Sequence, residues 1–295
     1  MTFEITEPIL VIGLGRVGAN LAEKAKKSLN SDSLMISHDQ KDLTGENSIK
    51  ISTKSVVNPS IHLIRGSTLE NLEEIEKNIS KYSTIILMSN LAGKAGIGIA
   101  PVVSKICKEQ EKNLLSFAIM PFKFEKDRIF QSGIALKRIR HDSHCTIVLD
   151  NDALLDSNPD LSHEQCNNIS NKAIESVISS LKSSEISEDV NILSTSKNTS
   201  DMEVSLKDSL RMLYEDAPPN SIKRSMLYVY GGSNVPIGVL NSISDITGGV
   251  FDENTTHVDM SSNESKIVML SSVQGEIKFD KYDPLGIISS EKTID

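Results

Sequence analysis

Cysteine is scarce in this sequence, and long apolar runs and a surplus of positive charge are absent. The three cysteines, Cys107, Cys145 and Cys166, lie far apart without metal-ligand spacing, which argues against a disulfide framework or a zinc site. No run approaches the roughly 18 apolar residues that a membrane-spanning helix needs. The net charge of −9 argues against a nucleic-acid-binding surface. We therefore expect neither direct membrane insertion nor a nucleic-acid partner.

The N-terminal stretch MTFEITEPIL has no basic region followed by an apolar one, so it is unlike an export signal. We expect a cytoplasmic protein. With 295 residues, of which 38% are hydrophobic, the chain can fold around a substantial core.

From residue 9 to about residue 155, apolar runs alternate with helical periodicities, which is typical of a parallel sheet covered on both faces. A long helical pattern then covers 161–182, and a segment rich in Ser, Asn and acidic residues follows it. We predict an α/β protein with a parallel, Rossmann-like nucleotide domain, a long central helix, a smaller α+β second domain and a tail. The predicted bounds are 1–160, 161–183, 184–275 and 276–295.

A glycine-rich turn, GLGRVG at 13–18, follows the first buried strand. Such turns let the backbone approach a phosphate at the N-terminus of the next helix. In a dinucleotide-binding fold, Asp39 at the end of the second strand would hold the ribose hydroxyls. A second glycine-rich loop follows another strand and contains Gly93, Gly96 and Gly98. Two such loops at neighbouring strand ends would hold a longer phosphate chain from both sides.

Several stretches occur in an order that resembles the FtsZ/tubulin superfamily, and FtsZ more than tubulin. They are GLGRVGAN, SHDQKDL, NLAGKAGIGIAP, MPFKFE, NDALL and YVYGGSNVPIGVLNSISDI. The resemblance covers nearly the whole chain and implies a filament-forming GTPase fold. It implies bound GTP or GDP, with or without Mg²⁺, and no other metal. The implied nucleotide-binding residues, with Asp39 from the dinucleotide interpretation, are Gly13, Gly15, Arg16, Gly18, Asn20, Asp39, Gly93, Lys94, Gly96, Gly98, Glu125, Asn151 and Asn171.

Each of these assignments has a structural alternative. The alternative for the glycines is a tight turn or close packing, and the alternative for Asn151 is a turn residue. The chain also departs from the family, because Ala95 and Ile97 stand where the signature loop has threonines. Lys94 and Arg16 add positive charge that can approach phosphate instead.

Catalysis in the family needs acidic residues, in an NxDxxD loop after the long helix, that position water against the γ-phosphate of a neighbouring subunit. The best match here contains Glu188 and Asp189, with Ile192 at the position of the second acid. Losing an orienting carboxylate costs orders of magnitude in phosphoryl transfer. We therefore predict slow or absent hydrolysis; a solvated acidic turn is the alternative for this segment.

Three functional classes remain open at this stage. The first is a slow GTPase that assembles head to tail with itself or with other FtsZ-like subunits. The second is a non-hydrolysing, or even nucleotide-free, relative that regulates filaments or acts as a scaffold. The third is an NAD-binding Rossmann protein. The tail from 276, with apolar anchors Phe279, Tyr282, Leu285 and Ile287, would recruit a membrane adaptor or fold back onto its own domain.

Overall fold

The computed structural model describes residues 2–45, 47–54, 57–182, 184–197, 201–231, 235–259 and 266–282. Within these residues the chain forms one sheet of ten strands in the order β3-β2-β1-β4-β5-β6-β7-β10-β8-β9. The strands are β1 (Ile9–Leu14), β2 (Asp32–Ser37), β3 (Ser48–Lys50), β4 (Thr84–Asn90), β5 (Asn113–Met120), β6 (Cys145–Asp150), β7 (Asp189–Thr195), β8 (Ile222–Tyr230), β9 (Glu253–Asp259) and β10 (Lys266–Val273).

Helices cover both faces of this sheet. They are α1 (Gly15–Leu29), α2 (Ile61–Glu70), α3 (Leu72–Ile79), α4 (Lys94–Glu109), α5 (Lys126–Asp142), α6 (Asn151–Ser157), α7 (His163–Ser180), α8 (Met202–Asp216) and α9 (Ile237–Val250). None of the helices in the described part of the chain is long and apolar enough to cross a membrane.

The strands from β3 to β7 are parallel, whereas β10 runs antiparallel to both β7 and β8. Alternate side chains of β1 enter two separate apolar cores, with Leu10 and Ile12 on one face and Ile9 and Val11 on the other. This period-two burial is what a parallel strand covered on both sides requires. The predicted α/β class is confirmed.

The strand order reverses direction at β1. From β1 the chain moves outward to β2 and β3, and then returns to place β4 on the other side of β1. The helices that follow β1 and β4 therefore diverge and leave a crevice above the carboxyl ends of these strands. Ligands of open α/β sheets bind at such a switch point.

The segment that we predicted as a boundary contains a central strand. Residues Asp189–Thr195 form β7, which pairs with β6 on one side and β10 on the other. Ile192 is fully buried there, and the apolar side chains of this strand complete both cores. The sheet is therefore continuous across the predicted junction, and the division into two domains stays a prediction.

The predicted tail begins as part of the folded protein. Ile277 and Phe279 are buried, and residues Lys278–Tyr282 form a short helical turn. The ring of Phe279 packs edge-on against Tyr282, with centroids 5.4 Å apart. Phe279 is thus a core residue and the proposed recruitment anchor at this position is wrong, whereas Leu285 and Ile287 lie outside the described residues.

Candidate nucleotide site

The two glycine-rich loops meet at the switch point. Gly15, the first residue of α1, has φ +63°, and a Cβ added to it would lie 2.9 Å from Cβ of Ala95 in the first turn of α4. The left-handed backbone and the missing side chain at Gly15 therefore allow the first turns of α1 and α4 to approach closely. The sequence prediction that both loops face one cleft agrees with this geometry.

Neither α1 nor α4 has a side-chain cap at its N-terminus. The N-cap residues Leu14 and Gly93 make no side-chain capping hydrogen bond, and neither first turn contains an acidic residue. The first N–H groups of a helix have no intrahelical acceptor and carry a partial positive charge. Two such helix ends side by side, at the carboxyl edge of a parallel sheet, are suited to bind a chain of phosphates.

Most of the other predicted glycines are required by packing. A Cβ at Gly13 would lie 2.5 Å from the carbonyl oxygen of Gly18, and a Cβ at Gly18 or Gly96 would overlap the carbonyl oxygen of Met88 or Asn90. Close packing therefore explains why these three positions are glycine, independently of any role in ligand binding. Gly98 is also a packing residue, since a Cβ there would lie 2.9 Å from the side chain of Ile64.

The two predicted cations differ in their surroundings. Arg16 is exposed in the first turn of α1. The ammonium of Lys94 donates to Oδ1 of Asn58 at 2.6 Å and to the carbonyl of Pro59 at 2.9 Å. Lys94 thereby ties the first turn of α4 to the preceding loop, whereas Arg16 is available to a ligand.

Acidic residues form the wall beyond β2. Asp39 is exposed, and its carboxylate accepts the backbone N–H of Lys41 at 3.0 Å. Asp42 is closer to the loops, because its Oδ2 lies 3.9 Å from the Cβ position at Gly15 and accepts the hydroxyl of Ser37 at 2.7 Å. Burial lowers the pKa of His38 despite these two carboxylates, so the ring is neutral at pH 7.

Glu125 belongs to a polar network that also includes Arg128. One carboxylate oxygen accepts the backbone N–H of Phe122 at 3.2 Å, and the other lies 3.3 Å from Nη1 of Arg128. The same guanidinium donates to the carbonyl of Ala92 in the second loop. Arg128 therefore connects Glu125 to the phosphate side of the crevice.

Asn151 is a buried, hydrogen-bonded residue at the end of β6. Its Oδ1 accepts the hydroxyl of Ser170 at 2.6 Å, and its amide donates to Oδ1 of Asn167 at 3.4 Å. Asn167 also contacts the ring of His163, with Nδ2 to Nδ1 at 3.2 Å. Asn151 therefore fixes the start of α6 against the first turns of α7.

Asn20 and Asn171 lie on two helices that pack side by side and leave the same edge of the sheet. Lys24 of α1 and Glu175 of α7 form an ion pair at 2.5 Å between them. Asn20 and Asn171 each precede a member of this pair by four residues, so they lie on the same faces one turn closer to the strand ends. Both residues are among the predicted nucleotide-binding residues, and their roles stay a prediction.

The predicted catalytic acids lie at the opposite edge of the sheet. Asp189 pairs in register with Cys145, the first residue of β6, whereas the crevice lies beyond the last residues of the parallel strands. Glu188 immediately precedes Asp189, so neither residue can reach the crevice of its own subunit. Ile192 lies within β7, so the predicted catalytic loop does not extend to this position.

The fold is that of a doubly wound α/β protein, with a candidate phosphate-binding site at its switch point. Residues 8–159 match the model of the Tubulin/FtsZ family, GTPase domain. The chain belongs to this family, which confirms the resemblance found in the sequence.

The similar proteins include FtsZ proteins and their relatives. Over 165 residues, the chain is 30% identical to cell division protein FtsZ 2 of Halobacterium salinarum. This match covers 52% of the chain and 41% of that protein. The chain thus spans well under two thirds of this relative. The FtsZ dimer structure from M. jannaschii has a TM-score of 0.71 at 17% identity and covers 94% of this chain and 92% of that one. CetZ from Methanosaeta thermophila has a TM-score of 0.67 at 14% identity, with 95% and 90% covered.

Proposed function

We propose that this chain is a cytoplasmic FtsZ-like protein that binds GTP or GDP in the crevice above β1 and β4. The single observation that carries the proposal is the contact between the uncapped first turns of α1 and α4 at Gly15 and Ala95. A dinucleotide site needs one such helix end, whereas a phosphate chain held from both sides uses two. Mg²⁺, if bound, would take most of its ligands from phosphate oxygens and water.

The remaining predicted residues extend this site away from the phosphates. In this proposal Glu125 and Asn151 contact the ribose, and Asn20 and Asn171, farther along α1 and α7, contact the base. Asn20 is five residues after Gly15, which corresponds to about 7.5 Å along the helix. This is a suitable separation for a base whose phosphates occupy the helix end.

Equilibrium dialysis against labelled GTP, GDP and NAD tests this proposal. We expect GTP and GDP to bind and NAD not to bind. Arg16→Glu should weaken nucleotide binding because it reverses the exposed charge in the first turn of α1, while an acid at that position is favourable for the helix itself. Lys27→Glu makes the same charge change in the last turn of α1, about 16 Å away, and should leave binding intact. Binding of NAD without GTP or GDP would refute the proposal.

We further propose that hydrolysis is slow or absent. The connection between α7 and β7 consists of residues 181–188, and one of its carboxylates, Glu185, lies 3.2 Å from Arg224. Glu188 and Asp189 are left as candidate acids, at an edge of the sheet from which they can serve only a nucleotide of a stacked neighbour. Burial of Ile192 in β7 leaves no second loop acid at that position. A short connection with few available acids supports weak water activation.

For assembly, we propose head-to-tail association with itself or with other FtsZ-like subunits. The crevice and the 181–188 connection lie at opposite edges of one sheet, so stacking would bring them together. Sedimentation of the purified chain with and without GTP tests self-association. If only a mixture with another FtsZ-like protein sediments, the chain acts as a regulator or scaffold of filaments. We retain the segment beyond 282, with Leu285 and Ile287, as a candidate adaptor-binding peptide.

A further inference from the structure

A surface groove lies between α2, α4 and α5. Its volume is about 700 Å³, and its apolar lining consists of Leu69, Leu72, Pro101, Val102 and Ile106. Pockets that bind small molecules have volumes of this order and mostly apolar walls. The side chain of Leu69 is 51% exposed, so apolar surface faces solvent here. The groove is therefore suited to bury an apolar molecule.

Arg65 of α2 lines the groove and contacts the helix that carries Pro101. Because proline has no backbone N–H, the carbonyl of Ile97, four residues earlier, lacks its usual helical donor. Nη2 of Arg65 donates to this carbonyl at 3.0 Å. Nε of Arg65 is buried and, among the residues that the structure describes, has no hydrogen-bond partner. The guanidinium is thus held in place while part of its capacity to donate stays unused.

A second guanidinium, that of Arg138 on α5, also lines the groove. Burial and the charge of Arg138 lower the pKa of Arg65, so the two cations are close enough to repel each other. Within the described part of the chain, neither guanidinium forms an ion pair with a carboxylate. A guanidinium binds a carboxylate with two parallel hydrogen bonds. The two arginines therefore form a site for an anionic group.

The other cations of the groove already have acidic partners. Nζ of Lys105 lies 3.5 Å from Oε1 of Glu109, and Nζ of Lys108 lies 3.3 Å from Oδ1 of Asp142. Lys108 also donates to the carbonyl of His141 at 2.9 Å. Because the uncompensated charge is confined to the two arginines, the groove fits a ligand with one anionic group and an apolar body.

We propose that this groove binds a straight-chain carboxylic acid of the fatty-acid class, with its carboxylate on Arg65 and Arg138 and its chain along the apolar lining. The inference goes beyond the proposed nucleotide function and does not depend on it. Lys105 in the groove lies eleven residues beyond Lys94, or about 16 Å along α4. The carboxylic acid and a nucleotide can therefore be bound at the same time.

Equilibrium dialysis of the full chain against labelled decanoate, below the concentration at which it forms micelles, tests the proposal. We expect saturable binding. Decanol, which has the same chain without a charge, should compete at least about tenfold less well, because it cannot pair with a guanidinium. Octanoate is two methylene groups shorter and should bind more weakly, by up to about 14-fold.

Arg138→Gln should weaken decanoate binding by about 10- to 100-fold, because it removes a charged hydrogen-bond donor. Arg138 is exposed, so the variant should keep its fold, which circular dichroism checks. Lys126→Gln makes the same charge change on an exposed residue in the first turn of α5, outside the groove, and should leave decanoate binding unchanged.

Three results would overturn the proposal. The first is the absence of saturable decanoate binding, and the second is unchanged binding in a folded Arg138→Gln protein or equal competition by decanol. The third is displacement of decanoate by GDP, which would place the carboxylate at the helix ends of the nucleotide crevice. Each of these results leaves the binding of GTP and GDP to be judged by its own dialysis experiment.

Discussion

Nζ of Lys278 lies 2.5 Å from Oδ2 of Asp150, and this ion pair joins the C-terminal helical turn to the end of β6. The same ammonium lies 3.3 Å from Oδ1 of Asp216 at the end of α8. Both carboxylates are fully buried, and Oδ2 of Asp216 has no hydrogen-bond partner among the described residues. Burial and the charge of Asp150 raise the pKa of Asp216 well above its ordinary value. Lys278 is thus the shared counter-ion of two buried acids, Asp150 and Asp216.

Lys278→Met should strongly destabilise the fold, because it leaves two buried carboxylates without a counter-charge. Removing one partner of a buried ion pair costs about 3–5 kcal/mol. Urea unfolding of the variant and of the exposed control Lys281→Met measures the difference. A loss below about 1 kcal/mol for Lys278→Met would mean that the three charges are not coupled as described.

The destabilisation of Lys278→Met should shrink as the pH falls. The pKa of Asp216 is raised in the folded state, so the folded protein binds this proton more readily than the unfolded chain does. Lys278 lowers this pKa in the unmodified protein, so its removal raises the pKa further. As the pH falls toward the ordinary value near about 4, protonation of Asp216 therefore stabilises the variant more than the unmodified protein. Urea midpoints of both proteins at several pH values between 8 and 5 should converge. A difference that grows toward low pH would contradict this sign.

Phe279→Ala should destabilise the protein by about 3–5 kcal/mol, because it empties a buried aromatic position in the core. Phe279 is 2% exposed, whereas Phe124 is 64% exposed, so Phe124→Ala is the matched control and should have a small effect. Thermal unfolding measures both. Equal, small losses of stability in the two variants would show that the 277–282 segment does not belong to the folded core.

Gly96→Ala should unfold the protein or lower its stability sharply, because the new Cβ would overlap the carbonyl oxygen of Asn90. Gly66, inside α2, has no atom within 4 Å of its Cβ position, and Gly66→Ala should be neutral or stabilise by up to about 1 kcal/mol. Circular dichroism with urea titration compares them. A folded, fully stable Gly96→Ala protein would show that this glycine is not a packing residue.

Ile192→Asp should destabilise the fold and leave GTP turnover unchanged or lower. The side chain is fully buried in β7, where a new carboxylate would have no solvent and no counter-charge. Ile192→Val, a smaller apolar change, should cost about 0.5–1.5 kcal/mol. A stable aspartate variant with increased, concentration-dependent turnover would place this residue at a subunit junction and overturn the assignment of β7.

The sequence predicted β1, β2, β4, β5 and β6, because each is a largely apolar run. It did not predict β3, which has three residues of which only Ile49 is buried. The 277–282 turn was harder to predict. Phe279 lies between two charged residues, Lys278 and Asp280, whose partners Asp150 and Arg140 are distant in the sequence.

Some features of the candidate site could be predicted from the sequence and others could not. Gly15 and the start of α4 could be inferred, since glycines after buried strands have a direct geometric meaning. The packing role of Gly96 could not, because it depends on the carbonyl of Asn90. Nor could the position of Arg128, whose guanidinium reaches the Ala92 carbonyl from the first turn of α5.

The central claim, that two helix N-termini hold one phosphate chain, is tested most directly by amide hydrogen exchange with and without GDP. We predict slower exchange in two separate segments at once, the first turn of α1 after Gly15 and the first turn of α4 from Lys94 to Ile97. The control Lys27→Glu should give the same pattern, and Arg16→Glu should weaken both effects together. Protection of the α1 segment alone, or of neither segment at saturating GDP, would contradict the account.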